Sequence, residues 1–499
     1  MSNVDPRTRD AQDPIKHVVL LLLENRSFDQ MLGCFKTTYP ELEGIDRNLP
    51  PRTNRDNDGN EFKQLPTESQ QMPVDPRHET GHVLTQLEND NLGFVQDFVD
   101  YYGAKAGQED RQLIMSYYPQ MFLPAIHRMA RDFTICDHWF SSVPGPTWPN
   151  RFFVFSGTAS GRVNMPDGLG HPDLDNLIFR QNQTTLFDRL NEAEKSWKVY
   201  FYDFPTSLIL THQRRPKNLV KYHKIDKFFQ DTAHLKPDEF PSFVLIEPKY
   251  SGQDQNDDHP PHNIMKGEKL IADVYNAIRS NEGLWNETLL VILFDEHGGF
   301  YDHVSPPSAV PPDEHREEYS FDRLGVRVPA ILVSPWVGKR VEQTQFDHTS
   351  LLKYLINKWN LGPLGARTAA ANSVGTAISE KQARTGTLPF IRVSTTSVLP
   401  PRPDLEKEVS SDHQIALRAF ANYLRGQIGD GAEDLRAVAS PNLWIKSKAW
   451  VGNGFLRFGT YLTKDLDENN QEQIELATDT VIDYLKSGEK QPSKILREL

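Results

Sequence analysis

The apolar positions of this chain fall into two patterns. The segment "HVVLLLLENRSFDQMLG", residues 17–33, opens with an unbroken Val/Leu run that has no polar alternation. Such a run suits a strand covered on both faces, as in a parallel sheet. Val199–Tyr202, Phe243–Ile246, Leu289–Phe294 and Ala330–Val333 repeat the pattern and are predicted as further buried strands. In "GHVLTQLENDNLGFVQDFVDYYG", "MFLPAIHRMARDF" and "KGEKLIADVYNAIRS" the apolar residues instead recur at three- and four-residue intervals, the spacing of a helix with one buried face. Alternation of the two patterns predicts a mainly parallel α/β sheet.

Polar segments divide the chain. Residues 46–78, rich in Pro, Asn and Asp, read as one long loop. The stretch "RVSTTSVLPPRPDLEKEVSSD" marks a boundary, and "HQIALRAFANYLRG" and "QIELATDTVIDYLKSG" beyond it read as amphipathic helices. The expected organisation is a main α/β domain over 13–395 and a small helical C-terminal extension over 396–499.

Charge and cysteine content narrow the function. A formal charge of -13 over 499 residues excludes a general electrostatic grip on nucleic acid or on anionic membranes. An anionic substrate must therefore be held by local groups. Two cysteines, Cys34 and Cys136, rule out a disulfide framework and a thiolate zinc centre. The start "MSNVDPRTRDAQDP" has no basic region leading into an apolar one, and no apolar run approaches the ~18 residues of a membrane span. A soluble, cytoplasmic protein with at most peripheral membrane contact is expected.

The ends of two apolar runs carry the first candidate chemistry. In open α/β sheets ligands bind outside the carboxyl ends of the strands. One run ends in Glu24-Asn25, and "LLVILFDEHGGFYDH" ends in Asp295-Glu296 followed by Gly298-Gly299, which lets the backbone turn tightly. If the strands are neighbours, Glu24, Asn25, Asp295 and Glu296 form an oxygen-rich cluster suited to one divalent cation. The alternative is a set of loop residues that never meet.

A nucleophile is suggested by "SSVPGPTWPNRFFVFSGT", residues 141–158. Pro149 fits a first helical turn, so Thr147 sits at a helix N-terminus, where backbone N–H groups and the helix dipole favour a bound phosphate. Taken alone, a Thr ahead of a helix reads as an N-cap. Asn150 is a substrate-binding candidate or a cap, and Arg151 a surface charge. His259 in "NDDHPPH" and His78 in "DPRHETGH" lie in polar segments and are candidates to bind phosphate oxygens or protonate a leaving group. His262, His297 and His303 carry no such assignment, and His348 in "FDHTSLLKYL" stands where a helix begins and can support an acidic neighbour.

"ENRSFDQMLG", "SSVPGPTWPNR", "IEPKY" with "NDDHPPH", "DEHGGFYDHVSPP", "DRLGVRVPAILVSPW" and "FDHTS", in this order, resemble the phosphoesterase family of bacterial phospholipases C, plant non-specific phospholipases C and AcpA-type acid phosphatases. The resemblance implies an alkaline-phosphatase-like three-layer α/β/α core and a Ser or Thr nucleophile that becomes phosphorylated. By motif, Thr147 matches that nucleophile, Glu24, Asn25, Asp295 and Glu296 the metal or acidic cluster, and His78 and His259 the phosphate-contacting histidines. The reaction it implies is two-step phosphoester hydrolysis through a phospho-threonine, with His259 or His78 protonating the leaving alcohol. A phospholipase C acting on glycerophospholipids is favoured over an acid phosphatase and over a non-catalytic phosphate- or lipid-binding relative. Of the aromatic residues in the motifs, Phe133, Trp139, Phe140, Trp148, Phe152, Phe300 and Tyr301, the larger part is expected in the core and the rest at a lipid entrance.

Overall fold

The computed structural model describes residues 13–72, 75–165, 181–250, 254–316, 319–386 and 389–395. The expected C-terminal extension, with both of its helical patterns, lies outside them. Eight strands form one sheet: β1 (His17–Leu23), β2 (Thr134–Cys136), β3 (Trp197–Phe201), β4 (Tyr222–Lys224), β5 (Phe243–Glu247), β6 (Thr288–Phe294), β7 (Ala330–Val333) and β8 (Arg340–Glu342). Their spatial order is β8-β2-β7-β6-β1-β5-β3-β4. Only β7 runs against its neighbours β6 and β2, and every other pairing is parallel.

The central strands β1 and β6 are buried at every position. An unbroken apolar run requires this, because successive side chains point to opposite faces and both must meet protein. Burial at roughly 1.5–3 kcal/mol per Val or Leu side chain makes these two strands a large stabilising element.

Seven helices matter for the site: α1 (Thr80–Gln86), α2 (Phe94–Tyr102), α3 (Ile126–Asp132), α4 (Thr147–Ser156), α5 (Ile225–His234), α6 (Ile264–Ser280) and α7 (His348–Trp359). α6 packs on β6 and against α3 and α5, while α4 packs against α7. α2 belongs to a second, smaller core in which Phe94, Val95 and Phe98 join Phe62, Met72, Phe300 and Tyr301.

Several expectations are corrected. The pattern over 81–103 is not one helix: α1 and α2 are separated by the short segment Glu88–Asn91, where Asn89, Asp90 and Asn91 take left-handed angles (φ 51°, 64° and 65°). "MFLPAIHRMARDF" is helical only from Ile126. Residues 46–78 are not all loop, since Thr53–Arg55 pairs antiparallel with Glu61–Lys63. β2, β4 and β8 escaped prediction because three residues are too few to show a period. Cys34 and Cys136 are free and buried. All seven aromatic residues named above are buried, so none of them lines an open entrance. No described helix is long and apolar enough to cross a membrane.

Candidate active site

Two parallel strands end side by side. Leu23 and Phe294 are register partners on the last rung of β1 and β6, so Glu24-Asn25 and Asp295-Glu296 leave the sheet together. The Asp295 N–H donates to the Leu23 carbonyl (3.0 Å), the Asn25 N–H to Asp295 Oδ1 (3.3 Å) and the Arg26 N–H to the Glu296 carbonyl (3.0 Å). Asn25 takes a left-handed angle, φ 61°, as does Gly298, φ 64°. A Cβ on Gly298 would stand 2.3 Å from the Asn25 carbonyl oxygen, so the approach of the two loops requires glycine. Glu24, Asn25, Asp295 and Glu296 are all fully buried. The sequence places these four at two strand ends, and the fold brings them together.

Helix α4 supplies the third component. Thr147 is its first residue, follows Pro146, and is fully buried with Oγ1 making no hydrogen bond. Arg151 lies one turn on, on the same helix face. It is not a surface charge. Its Nε donates to Asp295 Oδ2 (2.8 Å), one terminal nitrogen to Glu24 Oε1 (2.9 Å), and the other to Glu247 Oε2 (3.1 Å) and Thr206 Oγ1 (3.2 Å), with the Tyr250 hydroxyl also bound. The helix that carries Thr147 is therefore fastened to the ends of β1, β5 and β6.

Burial sets the electrostatics. It raises the Glu24 carboxyl well above its ordinary range, Arg151 pulls the other way, and Asp295, Asp257 and Glu296 add to the rise. Burial raises Asp295 as well, again against Arg151. One guanidinium among Glu24, Glu247, Asp295 and Glu296 leaves an excess of negative charge, which a proton or a cation must offset.

The histidines form a second wall. His78 Nδ1 bonds the Pro76 carbonyl (2.7 Å), and its Nε2 meets the Asn25 amide nitrogen at 3.2 Å. His259 stacks edge-on to His78 with ring centroids 5.8 Å apart. Its Nδ1 is held by the Pro260 carbonyl, while its buried Nε2 has no hydrogen-bond partner. Burial, with His78 and His262 nearby, pushes the His259 pKa well below its usual value, so the ring is neutral. Asp75 Oδ1 lies 3.7 Å from His259 Nε2. His262 bonds Asp257 (2.6 Å), His297 bonds Gln86 (2.8 Å), and His348 donates from Nε2 to the Asp295 main-chain carbonyl (2.7 Å). His348 thus supports its acidic neighbour through the backbone.

Asn150 takes a different part. Its amide oxygen accepts from the Val143 N–H (3.1 Å), and its nitrogen donates to the carbonyls of Val143, Gly145 and Pro146. Those bonds brace the loop ahead of Thr147.

Arg151 bonds one oxygen of Glu24 and one of Asp295, and the oxygens left for a divalent cation, which accept no hydrogen bond, are Glu24 Oε2, Asn25 Oδ1 and Glu296 Oε1. Asn25 gives its amide nitrogen to His78, which turns away a buried Oδ1 that no protein group bonds. An amide oxygen with two carboxylate oxygens is the hard-oxygen chemistry that such ions take. Among the described residues, Asp75, His78 and His259 form a group whose ligand atoms lie within 4.8 Å of one another. Asp29, Asp302 and His303 do so too, but Arg327 already occupies that group, donating to Asp302 (2.9 Å) and Asp29 (3.1 Å).

Sequence reasoning missed Arg151, Glu247, Tyr250 and Asp75. Arg151 was detectable from its four-residue spacing after Thr147, and Glu247 as a third carboxylate closing an apolar strand. Tyr250 lies in the motif "IEPKY", but its local sequence gives it no role.

The phosphoesterase family model matches residues 15–362. The chain belongs to the phosphoesterase family. It is 31% identical over 503 residues to non-specific phospholipase C3 of Arabidopsis thaliana, covering 92% of this chain and 91% of that one. Identity with non-specific phospholipase C6 of the same plant is 35% over 387 residues, 70% of this chain and 69% of the relative. The non-hemolytic phospholipase C of Pseudomonas aeruginosa is 28% identical over 72% of this chain and 57% of its own length. Among solved structures, this phosphoesterase is similar to a phosphonate monoester hydrolase of Agrobacterium radiobacter, with 9% identity and a TM-score of 0.34 over 75% of this chain and 79% of that one.

Proposed function

We propose that this phosphoesterase is a phospholipase C that hydrolyses glycerophospholipids through a phospho-threonine at Thr147. One observation carries the reading: a buried, unbonded hydroxyl begins a helix whose next turn is tied to the acidic ends of two sheet strands. A hydroxyl buried without a partner costs stability, so its retention points to use.

In the first step Thr147 Oγ1 attacks phosphorus, the bond to the diacylglycerol oxygen breaks, and the proton of Thr147 passes by way of His259 Nε2 to the departing oxygen. A neutral ring with a vacant Nε2 is the form that accepts a proton. In the second step water attacks the phospho-threonine, gives its proton to the same nitrogen, and restores the Thr147 hydroxyl as the phosphorylated head group leaves. His78 contacts the phosphoryl oxygens. A divalent cation held by Glu24, Asn25 and Glu296, beside Asp295, would supply positive charge for the attacking oxygen.

The relatives' names support lipid as the substrate. Purified protein should release diacylglycerol with phosphocholine or phosphoethanolamine from detergent-dispersed phosphatidylcholine or phosphatidylethanolamine. Release of inorganic phosphate from soluble monoesters, with no diacylglycerol, would replace the reading by that of an acid phosphatase.

A further inference from the structure

Arg151 makes more directed contacts than charge neutralisation needs. Its three nitrogens reach carboxylates from three different strands, Asp295 after β6, Glu24 after β1 and Glu247 at the end of β5. The Glu247 side is rigid. Its carboxylate also accepts from the Thr206 N–H (3.0 Å), the Ser207 N–H (3.4 Å) and the Tyr250 hydroxyl (2.8 Å), and Thr206 and Tyr250 bond Arg151 as well. Stability alone explains this arrangement poorly, because a buried ion cluster replaced by apolar side chains of similar volume is often no less stable.

We propose that Arg151 is the positioning residue of the reaction. Anchored along one edge by Glu247 and Tyr250, its guanidinium fixes the Glu24 and Asp295 carboxylates relative to Thr147, one turn earlier on the same helix. A planar fork with fixed donor directions can orient three carboxylates at once, whereas an ammonium on a flexible stem cannot. Asp295 is held from both sides, with Oδ2 on Arg151 and Oδ1 on the N–H groups of Asn25 and Glu296. The inference rests on the phospho-threonine reading of the same site.

Chemical rescue tests it. With phosphatidylcholine micelles, Arg151→Ala should lose on the order of 10²–10³-fold in kcat per folded molecule while KM changes little, the signature of an interaction that matters in the transition state. Low-millimolar guanidinium chloride should restore part of kcat, and equal concentrations of ethylammonium chloride or sodium chloride should not. Arg151→Lys should stay close to the alanine variant. If Arg151→Ala does not fold, Glu247→Gln tests the anchor, with kcat reduced and KM and melting temperature near wild type. A wild-type rate in Arg151→Lys, or no guanidinium rescue of a folded Arg151→Ala, overturns the proposal. So does a Glu247→Gln change confined to melting temperature. Trapping of phospho-threonine on the wild type is scored separately: its absence overturns the reading of the site, whatever the variants do.

Discussion

Leu23 and Phe294 face each other on the last rung of two parallel strands, and the carboxylates of Glu24 and Asp295 follow immediately. That pairing joins motifs separated by 270 residues into one buried site, with the Asn25 N–H bonding Asp295 Oδ1. Parallel alignment is essential, because it puts the carboxyl ends of both strands on the same edge. Arg151 then locks a helix N-terminus against that edge.

Function and stability should separate at Thr147. Thr147→Ala is expected to abolish turnover, while Thr147→Ser keeps appreciable activity because a hydroxyl remains. The isosteric Thr147→Val removes a buried hydroxyl that makes no hydrogen bond and should be as stable as wild type, or more stable by about 1 kcal/mol. Urea unfolding with diacylglycerol release measures both effects. An active alanine variant, or a valine variant that loses several kcal/mol, contradicts the role given to this side chain.

The strand-end cluster makes a prediction about cation content. Glu24→Gln and Asp295→Asn each remove one carboxylate from a fully buried cluster. Both should lower bound divalent metal, by elemental analysis of dialysed protein, along with the rate. A chelator should inhibit the wild type, with recovery on adding the ion back. Full activity in protein shown to be metal-free would leave these carboxylates to work as hydrogen-bond acceptors.

How far the sequence reached follows from what kind of information it holds. β1 and β6 were legible because six consecutive buried apolar residues have no other good explanation. Thr147 was legible from prolines that rule out strand and admit a first helical turn. Arg151 was misread because charge alone predicts exposure, and only the three-dimensional convergence of Glu24, Glu247 and Asp295 can bury a guanidinium. The aromatic residues were read correctly as mostly core, as Trp139 and Trp148 show, and misled only in that none was left for an entrance. A motif records which residues are needed, not which of them touch substrate.

Away from the reaction site, the network around Asp29 makes stability depend on pH. Burial works to raise the Asp29 carboxyl, but His303, Arg327 and Gln64 outweigh it and hold the pKa below the ordinary value. Burial likewise works to lower His303, and the charge and hydrogen bond of Asp29 outweigh it and raise the pKa above 6.5. The His303 contribution is therefore complete below its unfolded pKa and is lost as pH climbs through the raised value. The Asp29 contribution is present above its unfolded pKa of about 3.9 and is lost as pH falls through the depressed one. The stability gap between wild type and His303→Gln should be widest between those limits and shrink on the alkaline side. Denaturant melts across that range measure it, and a gap that widens with rising pH would refute the assignment.

The proton route through His259 makes the last prediction, and the leaving group decides it. A diacylglycerol oxygen needs a proton as it departs, whereas a nitrophenolate is a stable anion and does not. His259→Asn should therefore lower kcat on phosphatidylcholine by on the order of 10²–10⁴-fold, the usual worth of a positioned acid–base group. On a nitrophenyl phosphocholine diester the loss in the first step should be smaller, because His259 is then needed only to take the Thr147 proton and not to protonate the leaving group. Rapid mixing isolates that step as a burst of nitrophenolate, one equivalent per Thr147, followed by slow turnover, because the Thr147 oxygen, unlike nitrophenolate, needs the missing proton when it leaves the phospho-threonine. His78→Asn should instead weaken both substrates alike, since contacts to phosphoryl oxygens do not depend on the leaving group. Equal losses on both substrates for His259→Asn, with no burst, would move the proton to another group and leave His259 as a phosphate contact only.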